Sequence, residues 1–180
     1  GYVVEDGLLV FPVSGSGGYI RTAADFRDFE LRMDFKIARM ANSGLFLRGD
    51  REGGDPAYSG CEVQILDDFN WESVTGSALQ EWQFTGSLYA SVPPGERAMR
   101  PLGTWNTLHV LYSGSRLKVQ LNGTTLYDVD TYDVPVAYAN QPAFRDRAAA
   151  GFIGLQRHAP REATGEAFAW FKNIFVRPFD

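Results

Sequence analysis

The segment Gly60-Cys61-Glu62-Val63-Gln64-Ile65-Leu66-Asp67 sets a carboxylate and a carboxamide two residues apart. Side chains alternate between faces along an extended strand, so Glu62 and Gln64 share one face and Cys61, Val63 and Ile65 the other. A carboxylate can accept protons or hydrogen bonds, and a carboxamide supplies donors and an acceptor at a fixed spacing. Flanked by aromatic-rich segments, the pair suits a polyhydroxylated ligand, and it equally fits a solvated strand face. By the same parity, Gly151 to His158 points Ile153 and Leu155 one way and Phe152, Gly154, Gln156 and His158 the other. Leu45 and Leu47 read as inward, Phe46 and Arg48 as outward. Three strands could thus present Arg48, Glu62, Gln64, Gln156 and His158 on the outer face of one sheet. A nearby Trp or Tyr would add a flat apolar surface for a sugar ring. For any one of these residues a solvated sheet position is the competing reading, and their convergence depends on which strands are neighbours.

Other residues could also do chemistry. His158 titrates in a range that suits a general acid or base, although a His before Ala-Pro also reads as a surface residue. His109, between Leu108 and Val110, reads as exposed on a strand. Asp67-Asp68 at a strand end suits a hard divalent cation, calcium or another, and equally suits turn capping. No Gly-rich phosphate loop, Cys/His zinc spacing or Gly-x-Ser-x-Gly elbow occurs. A two-carboxylate glycosidase needs a second acid beside Glu62. Asp67 lies an odd number of residues away and would face the opposite side.

The elements that must position these groups are strands. Phe29, Leu31, Met33, Phe35 and Ile37 alternate with Glu30, Arg32, Asp34 and Lys36, which predicts a half-buried antiparallel strand. Further strands are predicted over Leu8–Phe11, Leu45–Arg48, the Glu62/Gln64 segment, Thr104–Tyr112, Leu117–Leu121, Thr125–Val129, Gly151–His158 and Ala167–Val176. Asn122-Gly123 marks a two-residue hairpin, because both central positions of a type I′ turn need positive φ. Residues 51–59 and 161–166 read as loops. Residues 67–103 read as long loops with a short strand near Gly86–Ala90, and residues 134–150 as a loop with a turn of helix near Phe144. Many short strands with almost no helix predict an all-β sandwich or barrel, and the clear polar face of several strands favours a two-sheet antiparallel sandwich formed by one domain over 1–180.

Composition agrees. The 14% aromatic content and 19 glycines favour strands and tight turns, and 44% hydrophobic residues supply a core. A net charge of −5 without a basic stripe argues against nucleic acid. No apolar run approaches the roughly 18 residues of a membrane span. The single cysteine, Cys61, permits no internal disulfide and reads as a small buried hydrophobe. No signal peptide is visible from Gly1 onward, and a periplasmic or secreted location is the expectation for a processed bacterial chain.

Beyond these physical readings, the chain resembles the 3-keto-disaccharide hydrolase domain family of the concanavalin A-like lectin/glucanase superfamily. The resemblance rests on Glu5-Asp6-Gly7-Leu8, Tyr19-Ile20-Arg21-Thr22, Asn42-Ser43-Gly44-Leu45-Phe46-Leu47-Arg48, Gly60-Cys61-Glu62-Val63-Gln64-Ile65-Leu66-Asp67, Gly86-Ser87-Leu88-Tyr89, Trp105-Asn106, Leu121-Asn122-Gly123 and Gly151-Phe152-Ile153-Gly154-Leu155-Gln156-Arg157-His158. It departs from the family where Cys61 replaces an aromatic residue and where Leu79-Gln80-Glu81-Trp82 is inserted. The resemblance implies a jelly-roll sandwich with a saccharide or keto-sugar bound on one sheet, and cleavage of 3-keto-glycosides. A 3-keto group acidifies the C2 proton, so one base and an enolate stabiliser could release the aglycone by β-elimination. On that expectation Glu62 or His158 is the base, and Arg48, Gln64 and Gln156 hold hydroxyls or the enolate oxygen. Asn42, Tyr89, Trp82 and Trp105 complete the candidate saccharide contacts, and a divalent cation near Asp67 is the candidate cofactor. A non-catalytic carbohydrate-binding module is the alternative.

Overall fold

The computed structural model describes residues 1–158 and 165–179. Among the described residues eleven strands form two antiparallel sheets, a jelly-roll sandwich. The larger sheet is built from β1 (Val3–Glu5), β2 (Leu8–Pro12), β4 (Phe29–Ile37), β7 (Asn106–Ser113), β8 (Arg116–Leu121), β9 (Thr124–Asp130) and β11 (Ala167–Pro178). Its order is β1-β2-β11-β4-β7-β8-β9. The smaller sheet contains β3 (Gly18–Arg21), β5 (Asn42–Gly49), β6 (Cys61–Leu66) and β10 (Phe152–Arg157), in the order β3-β10-β5-β6.

Between the sheets lies the core that alternation predicts. Phe29, Leu31, Met33, Phe35 and Ile37 are at most 1% exposed, Val110 and Val119 extend this layer along the larger sheet, and Leu45, Leu47, Val63 and Ile65 of the smaller sheet pack in the same core. Each such side chain stabilises the fold by about 1.5–3 kcal/mol through burial. Cys61 is among them, and burial pushes its thiol up to about 11, which leaves it an inert packing group. The Asn122-Gly123 hairpin forms with φ of 54° and 89°, both positive as the turn requires. Among the described residues no helix is long and apolar enough to cross a membrane.

Both faces of β5 and β6 are covered, since nearly every residue in these strands is buried. Two segments provide the cover on the outer side. One is a single turn, α1 (Pro56–Ser59), in the stretch that reads as loop. Asp55 caps it by accepting from the Ala57 N–H, and Pro56 fills the first position, where a missing N–H is harmless. The other is the stretch between residues 67 and 103, which carries a second short helix, α2 (Trp71–Thr75).

Two acids pin that long segment to the end of β6. Asp67 accepts from the backbone N–H groups of Met40, Phe69 and Asn70 and from the Asn70 side chain. Asp68 accepts from the Thr85 N–H and hydroxyl, and its burial pushes the carboxyl up to about 6. Residues 86–89 then pair with the open edge of β6. Gly86 N–H donates to Gln64 O, Gln64 N–H to Ser87 O, and Tyr89 N–H to Glu62 O. The strand expected near Gly86–Ala90 is therefore present as edge pairing, with Leu88 bridged to Val63.

Candidate active site

The pairing register decides which side chains meet on the outer face of the smaller sheet. Gln156, Gly44 and Gln64 stand opposite one another across β10, β5 and β6. The next row on that face is Gly154, Phe46 and Glu62. The two glutamines are separated by two strand spacings, about 10 Å, with Gly44 as the floor between them. Glu62 leans over that floor. A methyl group placed on Gly44 would come within 1.8 Å of Glu62 Oε1. The glycine is therefore what admits the carboxylate to the space between the glutamines.

Glu62 is 3% exposed, and among the described residues no donor hydrogen-bonds its carboxylate. Burial, with a smaller contribution from the Asp55 charge, holds its pKa well above the usual carboxylate range. A buried carboxylate without a protein donor is costly unless it is protonated or engaged by a ligand. Gln64 accepts from the Ile65 N–H through Oε1, which leaves its amide nitrogen to donate elsewhere. Gln156 is partly exposed in the same row.

At the far end of the face, the His158 N–H donates to Asn42 O, and Asn42 stands opposite Leu66. His158 and Glu62 differ by four residues along the strands and two strands across. Their backbones are thus about 16 Å apart. The structure places them on one face at opposite corners, and Glu62 alone reaches over Gly44.

Three expected residues take other positions. Arg48 is not on the outer face. It sits at positive φ, 53°, in a bulge where Leu47 and Arg48 oppose the single residue Ile153. The extra residue breaks the alternation and turns the side chain to the end of the sandwich. There it donates to Arg27 O and Gly114 O, pairs with Asp28 at 3.1 Å, and stacks 3.5 Å from the Tyr112 ring centre. Trp105 lies on the opposite side of the molecule. Its ring packs under Lys36 and Lys172, which project from the outer face of the larger sheet. Asp67 is fully buried, and its oxygens are committed to the turn that they cap. Among the described residues no three His, Cys, Asp or Glu side chains gather as a metal site. These acids do not fit a divalent cation, and the chemistry derived below uses none.

Sequence reading missed an aromatic wall beside Glu62. Trp82 and Tyr89, both expected contacts, pack edge-to-face at 5.3 Å. Tyr58, from α1, lies 6.3 Å from Tyr89, and Tyr138 closes the group at 5.5 Å from Trp82 and 6.3 Å from Tyr58. Tyr58 stands four residues before Glu62, and the Asp55-Pro56 pair ahead of it, a capping residue followed by proline, is the local signal for the turn that carries it. Tyr138 lies 76 residues away from Glu62 in sequence, and no local signal could have found it. His109 belongs to a separate network on the larger sheet, 2.7 Å from Glu30 and 3.0 Å from Gln120.

Residues 1–177 match the 3-keto-alpha-glucoside-1,2-lyase-like domain. The chain belongs to that family. A 3-keto-disaccharide hydrolase of Bacteroides thetaiotaomicron is 27% identical to this member over 214 aligned residues, which cover 99% of this chain and 70% of the relative. A crystal structure of a candidate glycosyl hydrolase from Parabacteroides distasonis aligns with a TM-score of 0.79 at 28% identity, covering 100% of this chain and 84% of that one. A Bacillus subtilis protein with a galectin-like fold aligns at 0.55 and 13% identity, over 99% of this chain and 86% of the other, which shows the fold alone. In this lyase-like domain the matched length takes in both sheets and the whole of the Glu62 face.

Proposed function

We propose that this protein is a carbohydrate-cleaving enzyme that acts on 3-keto-glycosides, with Glu62 as the base. The observation that carries the proposal is a buried carboxylate, unbonded among the described residues, held over Gly44 between Gln64 and Gln156. Family membership and the B. thetaiotaomicron relative support carbohydrate cleavage. Among the described residues no second acid is placed opposite Glu62, which supports elimination over a two-carboxylate displacement.

In this scheme the 3-keto sugar lies over Gly44, with its hydroxyls on the two glutamine amides. Glu62 takes the C2 proton, which the neighbouring ketone has acidified. The electron pair forms C1=C2 and the C1–O bond breaks, releasing the aglycone. Water then adds across the double bond. A carboxylate whose pKa burial has raised suits abstraction of a carbon-bound proton better than an ordinary surface carboxylate does. An exported location, periplasmic or secreted, belongs to the same proposal and is checked by fractionation of the source cells.

The test is incubation of the purified protein with a 3-keto-glucoside in D₂O, read by NMR. Release of the aglycone with deuterium at C2 is expected, and Glu62→Gln should abolish both while leaving binding largely intact. Unchanged substrate after prolonged incubation would sink the proposal. A saccharide that binds with no turnover, with Glu62→Gln altering affinity only, would favour a binding module. The aromatic wall of Trp82, Tyr89 and Tyr138 is the feature that such a module would use.

A further inference from the structure

Elimination from C1 leaves one demand unmet by Glu62. An alcohol is a poor leaving group unless its oxygen receives a proton as the bond breaks. The groups that sequence reading offered for charge stabilisation do not supply one. Arg48 is turned to the end of the sandwich and bonded there. Carboxamides such as Gln64 and Gln156 hydrogen-bond but do not give up a proton near neutral pH. His158 stands at the far corner of the face.

Resting on the 3-keto elimination reading above, we propose that Tyr58 is the general acid that protonates the departing aglycone oxygen, and that Tyr89 positions it. Helix α1 rests on β5 and β6, and this places Tyr58 over the outer face beside Glu62. Tyr58 and Tyr89 pack on the small apolar cluster of Phe46, Ala57 and Phe152. Tyr138 flanks the pair at 6.3 Å from the Tyr58 ring, and Trp82 at 5.3 Å from the Tyr89 ring. The two rings meet at 6.3 Å, and in the arrangement proposed here Tyr89 donates to Tyr58. The Tyr58 hydroxyl is thereby left to donate outward. Phe46, on which both phenols pack, stands opposite Glu62 on the same face, so base and acid belong to one site. Burial keeps both rings protonated beyond the ordinary tyrosine range, and an alkoxide is more basic still, so proton transfer to it is favourable.

The steps balance. Glu62 takes the C2 proton, the C2–H pair becomes the second bond of C1=C2, and the C1–O pair leaves with the aglycone oxygen. That oxygen receives the Tyr58 proton, and the aglycone departs as a neutral alcohol. The Tyr58 phenolate is stabilised by the Tyr89 hydrogen bond. In the second half, water gives its hydroxyl to C1 and its proton to Tyr58, while Glu62 returns a proton to C2. Enzyme groups end in their starting states, and the net change is hydrolysis. The aromatic wall around Tyr58 also places a flat leaving group, a second sugar ring or an aryl ring, on this side of Glu62.

The experiment compares kcat/KM for the wild type and Tyr58→Phe on methyl and 4-nitrophenyl 3-keto-glucosides. Nitrophenolate leaves without a proton, whereas methanol does not. Tyr58→Phe should lose about 10²–10³-fold on the methyl substrate and stay within about threefold on the nitrophenyl one. Tyr89→Phe should show the same leaving-group dependence with a smaller loss. Matched near-ultraviolet circular dichroism establishes that the variants are folded. Equal losses on both substrates, or none on either, would overturn the acid role while leaving the elimination reading intact. A wild type that consumes neither substrate would overturn that reading, and this proposal with it, before any variant is made.

Discussion

The sharpest perturbation of this site is one methyl group. Gly44→Ala adds a Cβ on the outer face at 1.8 Å from Glu62 Oε1, 2.7 Å from Cδ and 2.9 Å from Cγ. Real Cβ atoms do not approach heavy atoms within 3.0 Å, so the carboxylate must retreat by at least about 1.2 Å. Glu62 is 3% exposed and has little room for another rotamer. Overpacking of this kind costs about 1–3 kcal/mol, or a few degrees in Tm for a chain of this size. The catalytic cost is larger, because a 1 Å misplacement of a reacting group can lose about 10²-fold in rate. Steady-state turnover of a 3-keto-glucoside, measured beside thermal unfolding, should therefore show about 100-fold lower kcat in a folded protein. Gly154→Ala is the control. Its Cβ would meet Ile20 O at 3.1 Å and the Phe152 ring at 3.2 Å, and not Glu62. It should lose some stability and little turnover. If Gly44→Ala keeps its activity within about threefold, or falls no further than Gly154→Ala, Glu62 does not work from the space above Gly44.

Three further outcomes are expected. The folded pKa of Glu62 lies above its unfolded value of 4.5 because burial favours the neutral acid. Its stabilising contribution is thus complete below about pH 4.5 and is lost as pH rises through the raised value. Glu62→Gln should unfold at a higher temperature than the wild type at pH 8, with the gap closing toward pH 4; a gap that does not depend on pH contradicts the burial account. Arg48→Met leaves two carbonyls without their guanidinium donor and Asp28 with the Gly114 N–H in place of the ion pair. It should cost about 2–3 kcal/mol in urea unfolding, discounted because Asp28 keeps 30% exposure, with kcat per folded molecule unchanged. A fall in kcat without a fall in stability would return Arg48 to the site. Asp67→Ala removes the acceptor of several buried N–H bonds and should cost about 2 kcal/mol, with the same shift in calcium and in chelator. If calcium stabilises the wild type but not this variant, Asp67 is a cation ligand and not merely a cap.

Strand identity and the two faces of each strand were legible because they depend only on the period of two in the chain itself. Phe29 to Ile37 shows this, with every second side chain buried. Glu62 and Gln64 share a face for the same reason, and so does Gln156 with Gly154. The Asn122-Gly123 turn was equally legible, since positive φ at both positions is a local preference. Alternation fails where the chain inserts a residue. Arg48 lies in a run that reads as regular, and only the opposing strand, with Ile153 facing both Leu47 and Arg48, exposes the bulge.

Sequence alone thus determined an all-β sandwich, its buried set, and a polar row on one strand. It also carried the family motifs, in order, along nearly the whole chain. The tertiary structure decided that Gln64 and Gln156 are partners across Gly44, that Trp105 belongs to the opposite sheet, and that Tyr58, Tyr89, Trp82 and Tyr138 form one wall. These are relations between segments as far apart as Tyr58 and Tyr138, set by strand order, register and loop docking. Local side-chain preference fixes which way a residue points. Only long-range pairing fixes what it points toward.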